Sequence, residues 1–388
     1  MTVVMTQRTR REFLGEASAT LAALAAPETL YAETHSSKPL PHKRVLVGSG
    51  GPDGILAFDW NGEAGELKSS GKNGSVSRVA WIAPSPDGAF LFSASELHSF
   101  HGRPTGEVAS LRLAGDGSLQ LLSARNSAGT GTCHLAVDVT GQMLVTADYT
   151  GASAASFRIR DGQLSEAVWT AHYTEHGPNV ERQEKAHAHF ASFSPDNRFA
   201  YINDLGGDQI HIYRPDPATA EMTPAGSYLA APGSGPRTLH FHPNGHTAYS
   251  MNELASTVDV LEWSKADGSL TLVDRVALLP ANYKGPTRGC DTVIARNGRF
   301  VYFANRDDNF LYAFQADYAT GRLTPMKRSS CGGKTPRHFT LDPSERWMLV
   351  ANQDSNQIAI FVRDPRTGEL ANEGTSLAVE TPMRILFV

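Results

Sequence analysis

Cysteine is nearly missing from this chain: three residues in 388. So sparse and odd a set makes no disulfide framework, and no two cysteines have the spacing of a zinc site. Positive charge is not in excess either. With 35 Lys and Arg against 40 Asp and Glu, the net charge of −5 provides no basic field for nucleic acid. The Ala-rich run from Ala17 to Ala26 is too short to span a membrane. Beyond the first 30 residues no helical period stands out. A Gly-x-Ser-x-Gly nucleophile elbow is absent too, which argues against a covalent acyl-enzyme. His187-Ala188-His189 would be half a metal site, but no carboxylate stands at matching spacing. The expectation is no metal and no cofactor.

What the chain has in plenty is turns, with Gly at 35 positions and Pro at 22. They are periodic. Pro86-Asp87-Gly88, Val139-Thr140-Gly141, Pro195-Asp196-Asn197, Pro243-Asn244-Gly245, Arg296-Asn297-Gly298 and Pro343-Ser344-Glu345 recur every 47 to 56 residues. Pro presets φ for the second turn position, and Asn, Asp and Gly tolerate the conformations required after it. Each turn leads into an aromatic or β-branched run such as Phe300-Val301-Tyr302-Phe303, and then into another short run. These read as antiparallel strands. A repeat of this length decides the architecture.

Third strands number seven, at Gly54, Glu107, Ser153, Gln209, Thr257, Phe310 and Gln357. Innermost strands also number seven but are shifted, beginning near Arg78, Cys133, His189, Arg237, Cys290, Arg337 and Pro382. The last has no partners after it, and the segment from Arg44 to Phe58 has no innermost strand before it. The fold class expected is all-β: a seven-bladed β-propeller of four-stranded antiparallel blades, closed by pairing of the N- and C-terminal strands. Radial closure leaves only short, protected edges.

Chemistry belongs where the innermost strands open into the channel. Six residues before the last five of these turns stand Cys133, His189, Arg237, Cys290 and Arg337. Equivalent positions face one axis, so His189, Arg237 and Arg337 should converge. The tips after the second strands make another ring: Ser95-Glu96, Asp148-Tyr149, Asn203-Asp204, Asn252-Glu253, Asn305-Arg306 and Asn352-Gln353. Asn at such tips commonly caps a turn, the role expected for Asn203, Asn305 and Asn352. Arginine needs an anionic partner once buried. Glu253, Glu96 or Asp204 can supply it within the protein, or a ligand can. Cys133 and Cys290 are read as small buried residues. The polar insertion from His172 to Lys185 is expected as a rim loop.

At these residues the chain resembles the lactonase family of seven-bladed propellers, which includes propeller-type 6-phosphogluconolactonases and fungal carboxymuconate cyclases. The resemblance is carried by Gly235-Pro236-Arg237-Thr238-Leu239-His240-Phe241-His242-Pro243-Asn244-Gly245 with Asn252-Glu253-Leu254, by Ala304-Asn305-Arg306, and by Lys334-Thr335-Pro336-Arg337-His338-Phe339 with Ala351-Asn352-Gln353-Asp354. It implies one His, one Glu and several Arg in the channel. These match His189, Glu253 and Arg237 as catalytic residues, and Arg306 and Arg337 as substrate-binding ones; His187 and Asn252 complete the expected substrate contacts. The sequence departs from the pattern at Asp307, where Gly is usual, and at Cys290, where an uncharged or acidic residue is usual.

Such a cluster suits a small-molecule lactone. Arg holds phosphate or carboxylate bidentately. Hydrolysis needs a base, His189 or Glu253, and a donor for the developing oxyanion. The expected activity is hydrolysis of an anionic sugar lactone in the channel. The alternatives are a muconate-type lactonising cycloisomerase and a non-catalytic exported propeller that binds a partner on its rim; a channel plugged by Trp or Phe would point to the last. At the N-terminus, Thr9-Arg10-Arg11-Glu12-Phe13-Leu14 has the form of a twin-arginine export signal. The expected organisation is residues 1–32 signal, 33–43 linker and 44–388 propeller. The export machinery would be the precursor's partner, and the mature protein would be periplasmic or secreted, with no membrane or nucleic-acid partner.

Overall fold

The computed structural model describes residues 44–115, 117–371 and 374–388; Arg10, Arg11 and the export segment lie outside the described residues. The chain winds through seven four-stranded antiparallel sheets. Their inner strands are Val79–Pro84, Thr132–Val137, Ala188–Phe193, Pro236–Phe241, Gly289–Ile294, Pro336–Leu341 and Pro382–Phe387. Each contacts the next around the ring. The architecture is the expected propeller. Numbered from the N-terminus, blade 1 is the composite one. Its inner strand Pro382–Phe387 pairs antiparallel with Arg44–Ser49, setting Val45 opposite Phe387 and Val47 opposite Ile385.

Burial follows the radial order. Second strands such as Met143–Asp148 and Phe300–Asn305 are buried at every residue, which is why they read as unbroken apolar runs. Fourth strands are largely exposed, and Gln163–His172 alternates between a half-buried face, with Leu164 buried, and an exposed one, as suits an outer edge. The turn between first and second strands needs a left-handed residue. Gly88, Gly141, Gly245 and Gly298 take it with φ between 69° and 77°, while Asn197 and Glu345 take it at 60° and 57°. For Glu345 that conformation costs about 1 kcal/mol.

The core lies between blades. Val45, Val47 and Ile385 of blade 1 pack on Leu349, Ile358 and Ile360 of blade 7. From blade 4 to blade 7 a tyrosine tie repeats. Tyr201, Tyr249 and Tyr302, each in a second strand, donate to the carbonyls of Gly268, Gly321 and Gly368 in the outer hairpin of the next blade, at 2.8, 2.8 and 2.6 Å. Fully buried rings thus bring partners for their hydroxyls.

Candidate active site

Every blade breaks its register at the same point. Between the inner and second strands, pairing skips one residue: Ala80, Cys133, His189, Arg237, Arg337 and Met383 are passed over, and in blade 6 the skip covers Cys290 and Asp291. A bulge re-aims a side chain. Repeated seven times near the strand starts, it sets a ring of seven side chains around one end of the channel. The second-strand tips end at the same rim, because the second strand runs antiparallel to the first. His189, Arg237, Arg337, Glu253 and Arg306 therefore meet, as their spacing implies.

The cup they form measures about 250 Å³, at the small end of ligand sites. Four guanidiniums line it, from Arg78, Arg182, Arg306 and Arg337, against two carboxylates, Glu96 and Glu253; two imidazoles, His98 and His189, stand in the wall with Gly131, Cys133, Tyr149 and Thr150. Glu253 is the anionic centre. Its carboxylate is 1% exposed. Arg182 Nη2 donates to its Oε1 at 2.6 Å, while Arg237 Nε and Arg306 Nη2 lie 3.0 and 2.6 Å from its Oε2. Only Arg182 is well aligned as a donor: Arg237 Nε and both Nε and Nη2 of Arg306 are buried without a hydrogen-bond partner among the described residues. Arg237 is fixed from its other end, where Nη1 donates to the Cys290 carbonyl at 2.7 Å. Across the cup Arg337 Nη2 donates to Glu96 Oε1 at 2.6 Å.

This environment sets two protonation states. Burial alone would raise the Glu253 carboxyl, but Arg306 and Arg237 outweigh it and hold it well below the usual carboxylate range. Burial, reinforced by Arg237, drives the His189 imidazole well below its usual value. Glu253 is thus a fixed anion, and His189 is a neutral base whose buried Nδ1 has no partner among the described residues.

Two of the expected substrate contacts are placed elsewhere. His187 stacks on Tyr149 with centroids 4.3 Å apart, pairs with Glu184 at 3.3 Å, and is not in the cup wall. Asn252 donates to Thr257 Oγ1 at 3.1 Å and closes its own tip. Of the three asparagines expected as caps, only Asn305 makes such a bond, accepting from the Asp307 N–H at 3.0 Å; Asn352 instead donates to the distant Cys331 carbonyl, and its Oδ1 and the whole side chain of Asn203 have no partner among the described residues. Cys133 and Cys290 are free and buried. Sequence reasoning missed Arg182. It stands in the insertion after blade 3 and has no counterpart in the repeat; being the sole arginine of a loop on the channel rim was the available signal.

Directly below the cup the channel is filled. The residues next to the bulges form a second layer, where Trp81, His134 and Phe190 pack with centroids 4.1 and 3.8 Å apart. Arg384 lies 4.0 Å over the Trp81 ring, and the residual cavity is about 20 Å³. The aromatic plug seals the middle of the channel and leaves the mouth open.

A seven-bladed propeller whose bulged inner strands build a blind, arginine-lined cup is the class defined by this fold and site. The family model "Lactonase, 7-bladed beta-propeller" matches residues 44–387. The chain belongs to that family. It is 30% identical over 341 residues to a 6-phosphogluconolactonase of Bacillus subtilis, covering 87% of this chain and 95% of the relative. It is 31% identical to one of Formosa agariphila, over 84% of this chain and 93% of the relative. Among solved structures, the periplasmic gluconolactonase of Pseudomonas aeruginosa superposes with a TM-score of 0.83 at 30% identity, covering 89% of this chain and 98% of that one.

Proposed function

We propose that the protein hydrolyses an anionic sugar lactone in the cup. The observation that carries this reading is the charge imbalance: four guanidiniums line the cup for two carboxylates, with Arg237 directly behind. The buried part of this excess is Arg237 and Arg306, which share with the half-buried Arg182 the one buried carboxylate of Glu253; such an excess calls for an anionic ligand. His189 takes the proton from the attacking water: its ring is neutral and its Nδ1 has no partner among the described residues, whereas both oxygens of Glu253 are taken up by arginines. Arg306 and Arg337 supply donors to the oxyanion that grows on the lactone carbonyl oxygen. Glu253, saturated by arginines, is a weak base and serves to fix Arg182, Arg237 and Arg306. Collapse of the tetrahedral carbon breaks its bond to the ring oxygen, which takes up a proton to give the hydroxy acid.

The test is acid release by the purified protein from a panel containing glucono-1,5-lactone, its 6-phosphate and a muconolactone. Turnover of the first two supports the reading, and the ratio between them reports whether the excess arginine serves a phosphate. Turnover of the muconolactone alone points to the lactonising alternative.

The aromatic plug favours one further reading, a non-catalytic propeller that captures a partner at its rim. Inactivity on the whole panel would select it. We also infer that the mature protein works outside the cytoplasm, on the strength of Arg10-Arg11; the relation to a periplasmic gluconolactonase is in keeping with this. Replacing both arginines by lysine should retain the protein in the cytoplasm, since the export machinery reads the pair, and unchanged periplasmic yield would refute it.

A further inference from the structure

The insertion that delivers Arg182 to the cup passes, at its root, a second cluster that the lactonase chemistry does not use. Asp204 ends the second strand of blade 4 and is fully buried. Its Oδ1 accepts from the backbone N–H of His187 at 2.7 Å and of Gly206 at 3.0 Å. Its Oδ2 has no hydrogen-bond partner among the described residues. His211 stands on the adjacent third strand, paired with Ile202. Its Nε2 is also buried and unpartnered among the described residues, and lies 3.8 Å from Asp204 Oδ2. The imidazole is held flat against Tyr173, with ring centroids 4.1 Å apart and planes inclined by 15°. Two residues further along the insertion comes Glu175, which is exposed and accepts from the Thr174 N–H at 3.0 Å. One ligand atom from each of Glu175, Asp204 and His211 lies within 4.8 Å of the other two.

The backbone of Gly207 packs close against this point. A Cβ on Gly207 would come within 2.3 Å of Asp204 Oδ2 and 2.8 Å of Glu175 Cβ. A carboxylate oxygen and an imidazole nitrogen, both buried, both lacking a partner and both facing one small space, cost free energy unless something sits between them. The ligands of a tetrahedral ion bound at about 2.0–2.2 Å stand roughly 3.4 Å apart, so Asp204 and His211 need move only slightly. We propose that Glu175, Asp204 and His211 bind a divalent transition-metal ion, Zn²⁺ or Mn²⁺, which ties the root of the insertion to blade 4. One imidazole with two carboxylates suits these ions better than Ca²⁺, which takes oxygen ligands alone. Its place is structural. It lies outside the cup wall, and the ion would order the segment that carries Arg182.

The test uses untagged full-length protein stripped with a chelator and then titrated calorimetrically with ZnCl₂ or MnCl₂. One saturable site is expected, with a melting temperature several degrees higher in excess metal, because a ligand of the native state stabilises by mass action. Glu175→Gln, exposed and safe for folding, should weaken binding by about tenfold or more, since it removes one anionic ligand of three. Asp204→Asn keeps the acceptor for the two backbone N–H groups while removing the anionic oxygen; with His211→Gln, it should abolish binding. Metal should also slow hydrogen exchange across residues 173–187 in the parent and not in these variants. Failure of the parent to bind either ion overturns the proposal, as does binding that persists unchanged in Asp204→Asn and His211→Gln. Unaltered exchange in the metal-loaded parent likewise refutes the tie. None of these outcomes depends on lactone turnover.

Discussion

Two layers of the channel, one residue apart on the same strands, hold their charges in opposite ways. In the middle, one carboxylate, Asp291, and one guanidinium, Arg384, share a layer and both contact the His338 imidazole. Asp291 lies 3.4 Å from His240 and 3.6 Å from His338, and Arg384 rests on Trp81. Burial pushes His338 and His134 well below their usual values, with Arg384 adding to it. The layer balances itself and its aromatic rings fill the rest. At the mouth, guanidiniums outnumber carboxylates and several donors have no aligned acceptor among the described residues. Burial of charge alone therefore does not mark a functional site; charge that the protein leaves unbalanced does.

The comparison breaks most readily at His189. Replacing it by Asn keeps a polar group of similar reach and removes the base, so kcat should fall by about 10²–10⁴, with the melting temperature almost unchanged. Glu253→Gln acts differently. It leaves three guanidiniums around a neutral amide, and breaking a buried pair in this way costs about 3–5 kcal/mol. Melting temperature should drop, KM should rise as Arg182, Arg237 and Arg306 lose their common anchor, and kcat should fall less than in His189→Asn. The reverse order of kcat losses would make Glu253 the base. If both variants merely melt earlier while turnover per folded molecule stays within about threefold, the mouth is scaffolding like the middle.

Asp291→Asn is the matching change one layer down. It strips the middle of its carboxylate and leaves Arg384 uncompensated, so stability should fall by about 3 kcal/mol or more. Lactone kcat/KM measured on the folded fraction should stay within about threefold of the parent. A loss comparable to that of His189→Asn would mean that the two layers act as one site.

The sequence was clearest where the repeat speaks. The expected starts of the seven inner strands fall within one residue of those observed, because turn and strand signals recur in phase. The terminal closure was visible for the same reason, as was the convergence of His189, Arg237 and Arg337. The bulge was not visible. It requires no special residue, yet it decides that position two of each inner strand faces the mouth and position three the plug. His187 was expected at the cup as a neighbour of His189, and Asn252 as a member of the ring of second-strand tips. His187 precedes its strand and packs behind Tyr149, and Asn252 turns to its own hairpin. Arg182 lay hidden in an insertion that no repeat can align.

The smallest expected effect separates two buried carboxyls near the mouth. Glu253 is surrounded by arginines and held low. Asp148, at the tip of blade 3, meets only hydroxyls: Thr132 Oγ1 donates to its Oδ1 at 2.6 Å and Ser153 Oγ to its Oδ2 at 3.2 Å. Burial therefore prevails and lifts its carboxyl to about 7. The sign is opposite to that of Glu253. Below about pH 4 both folded and unfolded chains carry the Asp148 proton, and above about 7 neither does. Between these limits the folded chain binds the extra proton, so stability falls as pH rises through the window. Asp148→Asn removes this slope, since an amide keeps an acceptor for Thr132 and never ionises. Relative to the parent, the variant should gain a few degrees in melting temperature on going from pH 5 to pH 8. Glu107, also raised to about 7 by burial, contributes its own slope to both proteins and cancels in the difference. A constant offset between parent and variant over that range would mean that Asp148 is ionised throughout, and that hydroxyl donors alone can hold a buried carboxylate at this rim.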